Sequence, residues 1–139
     1  MKVITKKPRP KVFPNPQKIH LEKAPVRLFY KYFSPEEYQI LRAVYLTLCA
    51  LNKEFGKAPI PDFLATVAAQ AAIPPKITSC CLRAMAHGNI LFGRRKFSRR
   101  GGRYTGTSII VVKHWKKRRC SADKEKRTVE ALKSKLMEG

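Results

Sequence analysis

The chain has 139 residues, and its 30 Lys and Arg face only nine Asp and Glu, for a net charge of +21. That length holds one domain with tails. No stretch approaches the ~20 consecutive apolar residues of a membrane span, and no continuous apolar segment follows the basic N-terminus as a secretory signal requires. The chain is therefore expected to act inside a cell, in the cytoplasm or at the nucleoid. A compact domain so charged repels itself unless a polyanion neutralises it. Nucleic acid is the first partner class to consider, and an anionic membrane surface the second.

Residues 1–33 read as a basic, Pro-rich arm, with nine basic residues and one acidic (net +8). Prolines at 8, 10, 14, 16 and 25 deny it a long helix. Lys6, Lys7, Arg9 and Lys11 sit among them, suited to lie along an anionic groove. The end of this segment, Val26, Leu28, Phe29, Tyr30, Tyr32 and Phe33, is too apolar for free solvent. It is expected to dock on the domain as a short strand.

Residues 34–115 form the expected domain. Ser34-Pro35-Glu36-Glu37 is a helix start, with Ser34 as cap, Pro35 at the first helical position and Glu37 completing a capping box. Leu41, Val44, Tyr45, Leu48, Cys49 and Phe55 follow at three- and four-residue steps, so one face is buried. Gly56 and Pro59 stop this helix after about twenty residues. A second helix opens at Ile60-Pro61-Asp62, and Phe63, Leu64, Val67, Ala68 and Ala71 supply its buried face. Ile73-Pro74-Pro75 forces a turn, since Pro can begin a helix but not continue one. The next helix runs from Pro75 to His87 and closes at Gly88-Asn89. In it Ile77, Cys81 and Met85 share one line, with Thr78 and Leu82 beside it, and are expected to face the core. Lys76, Ser79, Cys80, Arg83 and His87 are left facing outward.

Ile90-Leu91-Phe92-Gly93 is a short β-type run, and Thr107–Val112 is a β-branched strand. Between them the expected loop from Arg94 to Arg103 carries six cations: Arg94, Arg95, Lys96, Arg99, Arg100 and Arg103. Gly101-Gly102 marks its bend. Phe97 and Tyr104 flank it and read as hairpin packing, with base-stacking platforms as the alternative, and Trp115 reads as a lid on the core. Residues 116–139 begin with a second basic run, Lys116, Lys117, Arg118 and Arg119. A last helix from about Ala122 to Met137 has Val129, Leu132 and Leu136 on one narrow stripe, which either docks on the domain or pairs with a second copy as a homodimer.

No catalytic set is visible. Segment 34–115 holds only Glu36, Glu37, Glu54 and Asp62 as carboxylates, and two of these belong to a helix start. His20, His87 and His114 are scattered. The four cysteines, Cys49, Cys80, Cys81 and Cys120, form no CxxC pair. Neither enzymatic activity nor a bound metal or cofactor is expected.

From Pro59 to about His114, with Ser34–Phe55 as the leading helix, the sequence resembles the winged helix-turn-helix superfamily. Val67-Ala68 matches its apolar pair and Ala72-Ile73-Pro74 its turn. Ile77-Thr78-Ser79 matches the start of its recognition helix, and Gly88-Asn89-Ile90 leads into its wing. The resemblance implies an α+β domain of three helices plus a β-hairpin wing, with the recognition helix in a major groove and the wing on the adjacent backbone or in the minor groove. The expected function is sequence-preferring binding of double-stranded DNA, as a transcription regulator or an accessory factor in replication, plasmid or phage biology. The alternative is an RNA-binding structural protein, such as a ribosomal-particle component, because basic tails at both ends suit threading among RNA helices.

Overall fold

The computed structural model describes residues 23–112 and 122–138. The basic runs Lys6, Lys7, Arg9, Lys11 and Lys116, Lys117, Arg118, Arg119 lie outside them, as does Trp115. The described architecture is α+β, with five helices and a two-stranded antiparallel hairpin. In chain order the elements are α1 (Ala24–Tyr32), α2 (Pro35–Phe55), α3 (Phe63–Ala71), α4 (Pro75–His87), β1 (Leu91–Phe97), β2 (Tyr104–Val111) and α5 (Ala122–Glu138).

The segment expected to dock as a strand does dock, but as helix α1. Pro25 stands in its first turn, and Val26, Leu28 and Phe29 are buried. Its apolar residues are aromatic and β-branched, which favours a strand, yet their spacing is helical. Phe29 meets Phe33 four residues on, edge to face at 6.3 Å, and also meets Tyr45 of α2 at 6.2 Å. The core thus begins ahead of residue 34.

Helix α2 is the centre of the molecule. Glu37 donates its backbone N–H to Ser34 Oγ at 3.2 Å, and the Glu37 carboxylate accepts from Ser34 N–H at 3.1 Å, the reciprocal capping box its sequence predicts. Tyr38, Leu41, Val44, Tyr45, Leu48 and Leu51 are buried along it, against α1 on one side and α3, α4 and β2 on the other.

Helices α3 and α4 meet through the three-residue turn Ala72-Ile73-Pro74. Ala72 is left-handed (φ 58), and the N–H of Ile73 returns to the Ala68 carbonyl at 3.1 Å. The fully buried Thr78 then donates its hydroxyl to the Ile73 carbonyl at 3.3 Å, tying the first turn of α4 to the linker. Val67 and Ala68 are buried on α3 as expected, but Leu64 is 38% exposed. Leu64 lies in the first turn of the helix, where the core does not reach it.

The hairpin pairs Leu91 with Val111 through Lys96 with Gly106, then shifts by one residue so that Phe97 faces Tyr104. Ile60 adds a single rung on the far side of β2, exchanging two backbone bonds with Thr107 at 2.9 and 3.1 Å. Gly106 sits beside this rung with φ 142.

Helix α5 docks within the chain. Val129 and Leu132 are buried and Leu136 packs against the core, so in this arrangement the stripe weighed for a second copy is occupied internally. A Cβ placed on Gly88 would lie 3.3 Å from both Leu132 Cγ and Thr128 Cγ2, which measures how closely α5 approaches the end of α4. Lys133 reaches over the Phe33 ring at 5.7 Å.

Candidate nucleic-acid interface

Helix α4 buries Thr78, Cys81, Ala84 and Met85. At 100° per residue these positions gather on one side, and Ser79, Arg83 and Lys76 fall opposite. Lys76, Arg83 and His87 are exposed, as expected, and Ser79 is half-buried. From Lys76 to His87 the helix advances ~16 Å, enough to run through a major groove ~12 Å wide.

Two expectations on this helix need correction. Ile77, assigned to the core, is 41% exposed. Cys80, assigned to the outside, is half-buried. The Leu136 end of α5 lies against this flank and covers Cys80, whereas Ile77, in the first turn of α4, lines the same space yet stays open to solvent. Glu37, Ile40, Leu41, Ile77, Cys80, Cys81 and Leu136 together line a cavity of about 210 Å³ there. Arg83 turns a guanidinium N–H toward Cys80 Sγ at 3.5 Å. Cys81 lies deeper. Burial, with the charge of Cys80 adding to it, pushes its thiol from an ordinary 9.0 up to about 12. It is thus a protonated core residue at neutral pH.

The hairpin starts directly from α4. Ile90 N–H donates to the Met85 carbonyl at 3.0 Å across the Gly88-Asn89 turn. Arg94, Arg95 and Lys96, expected in the loop, belong to β1, whose pairing with Ser108, Thr107 and Gly106 continues through them. The β-type run extends because its antiparallel pairing with β2 continues through these residues, and basic side chains can project from a pleated strand into solvent. Alternation sends Arg94 and Lys96 to one face and Arg95 to the other. Arg94 and Arg95 are exposed, and Lys96 is half-buried.

The true turn is residues 98–103. Ser98 organises it. Its N–H donates to the Arg103 carbonyl at 2.8 Å, its hydroxyl donates to the Arg100 carbonyl at 2.6 Å, and it accepts from Arg103 N–H at 3.1 Å. Arg99, Arg100 and Arg103 are exposed on this braced turn. Between Asp62 and Asp123 the sequence contains no carboxylate side chain, so neither α4 nor the hairpin carries an acid of its own.

Two further features flank these cations. Phe97 and Tyr104 do pack on each other, with ring centroids 6.1 Å apart and planes at 64°, yet they stay 56% and 44% exposed. Helix α5 also flanks α4 and presents exposed Lys126 and Arg127 next to its docked stripe. Its amphipathic spacing was visible, but its docking site was not.

Among the described residues, no group of three His, Cys, Asp or Glu side chains converges to hold a metal ion. No described helix is long and apolar enough to cross a membrane. No protein-family model, curated protein or solved structure matches the chain.

Proposed function

We propose that this chain is a winged helix-turn-helix protein that binds double-stranded DNA with a preference for sequence. Helix α4 enters the major groove, and the β1–β2 wing follows the adjacent backbone or the minor groove. It works by binding rather than catalysis, as a regulator or a replication accessory factor. The observation that carries this reading is the wing: a hydrogen-bonded hairpin with five exposed arginines, attached to the end of α4, in a stretch without acids. Like charges held so close cost free energy that phosphates relieve, and each contact releases condensed counterions. Guanidinium groups fit phosphate through paired hydrogen bonds and also enter narrow minor grooves. On α4, in this reading, the exposed Arg83 contacts a guanine edge or the phosphate backbone and the exposed Lys76 contacts phosphate.

One observation favours a second reading as an RNA-binding particle component. The cations gather on the wing, whereas the outer face of α4 carries only Lys76 and Arg83 besides His87. An A-form groove excludes a helix and leaves recognition to such a wing. A salt-titrated binding assay with duplex DNA, duplex RNA and single strands separates the two. Tightest binding to duplex DNA, with an excess of specific over random sequence, supports the first reading. Tighter binding to duplex RNA transfers the proposal to the second, and weak, salt-insensitive binding to all three refutes both.

A further inference from the structure

We propose that Phe97 and Tyr104 form a stacking platform for an unpaired nucleobase, so that the wing selects duplexes interrupted by a bulge or an open end. This rests on the nucleic-acid reading above and deepens it.

The geometry of the platform is built by the strand irregularity. Residues 91–96 pair in one register, and the shift between Lys96 and Phe97 brings Tyr104, instead of Thr105, opposite Phe97. A bulge of this kind re-aims a side chain. Thr105, the extra residue, donates its hydroxyl to the Lys96 carbonyl at 3.1 Å. Tyr104 is then held in place, because its hydroxyl shares a 2.7 Å hydrogen bond with Thr107 Oγ1. Thr107 is itself fixed between β1 and Ile60. Phe97 meets Tyr104 edge to face, an arrangement that leaves ring surface open, as their exposure records. Tyr104, held by its hydroxyl, offers stacking at little further cost in side-chain entropy, and Phe97 stands against it.

The surroundings identify the occupant. Arg95 precedes the pair on the strand, and Arg99, Arg100 and Arg103 follow it in the turn. A ligand there must be anionic and present a flat π-face, as a nucleotide does. In an unbroken duplex the bases present only their edges, whereas an unpaired base offers its face. An anionic membrane surface would share the attraction to the arginine-rich turn 98–103, so anionic vesicles form a separate arm of the test. DNA and RNA share the stacking chemistry, so both are tested.

The experiment is fluorescence anisotropy at fixed salt with a perfect DNA duplex and the same duplex bearing one bulged 2-aminopurine, and with their RNA counterparts. The bulged form of one nucleic acid should bind about tenfold tighter than its perfect duplex, with 2-aminopurine emission quenched. Phe97→Leu and Tyr104→Leu should each erase the preference and the quenching while leaving perfect-duplex affinity within about twofold. Phe97→Tyr, which keeps a ring, should retain both and guards against loss through misfolding. Equal affinity for bulged and perfect duplexes overturns the platform, as does a preference that survives both leucine variants. Ring-dependent binding to anionic phosphatidylserine vesicles without a bulge preference overturns it too. Salt-dependent duplex binding with no bulge preference sinks this inference alone, whereas no binding to any nucleic acid sinks the parent reading with it.

Discussion

Gly106→Ala tests how the wing is anchored. Gly106 has φ 142, a conformation that L-residues rarely adopt, and forcing one there costs roughly 1–3 kcal/mol. An added Cβ would also lie 2.6 Å from the Ile60 carbonyl oxygen and 2.8 Å from its carbon. That contact is with backbone, so no side-chain rotation relieves it. Moving Ile60 away breaks the 2.9 and 3.1 Å bonds that it exchanges with Thr107, each worth about 1 kcal/mol net. The expected loss is about 3 kcal/mol or more, a large share of the ~5–15 kcal/mol of a typical domain. Gly101→Ala is the control. Gly101 has φ 79 but open space around its Cβ direction, so only the left-handed backbone cost of about 1–2 kcal/mol applies. Urea denaturation of both variants gives the difference, and hydrogen exchange locates it in β1 and β2. A Gly106→Ala variant as stable as Gly101→Ala would refute the Ile60 rung as the wing's anchor.

Three further outcomes follow from the packing and the site. Leu132→Ala, at a fully buried position, should cost about 2–5 kcal/mol in urea denaturation by opening the α4–α5 contact; a cost under ~1 kcal/mol would mean that α5 is not docked. The raised Cys81 thiol makes the fold lose stability in alkali: above pH 9 the unfolded chain releases this proton while the folded chain keeps it, up to about 12. Buried Tyr45, also raised, acts in the same direction above 10.0. Urea denaturation from pH 8.5 to 10.5 should therefore fall more steeply for the native chain than for Cys81→Ala, by at most ~1.4 kcal/mol per pH unit, and parallel curves would contradict it. Arg83→Ala should reduce discrimination between specific and random duplexes by roughly 1–3 kcal/mol in competition binding, whereas equal loss on both would assign Arg83 to the backbone.

Local signals in the sequence located the elements well. The capping box at Ser34 and Glu37 and the Pro75 start of α4 depend on neighbours a few residues away, and both stand where the sequence puts them. Tertiary contacts decided the rest. The aromatic run before Ser34 carries strand propensity, but its i, i+4 pair Phe29 and Phe33 packs as a helix on Tyr45. Ile60 contributes one rung, too short for any periodicity to reveal. Cys80 is half-buried because α5, distant in sequence, covers one flank of α4, and Ile77, in the first turn of that helix, stays exposed beyond the core. At the candidate site the charged residues were legible from composition alone. The register shift that sets Phe97 against Tyr104 was not, since a bulge leaves no mark on alternation in a loop-like stretch.

The central claim, that the wing grips phosphates, is tested most directly by the salt dependence of duplex binding in the Arg99→Ala/Arg100→Ala double variant. Two lost phosphate contacts should reduce the slope of log K against log salt by about 1.8 on B-DNA. The affinity gap between native and variant chains should then shrink roughly twelvefold between 50 and 200 mM salt, alike on every duplex sequence. A variant with unchanged affinity and unchanged slope would show that these arginines never meet the backbone.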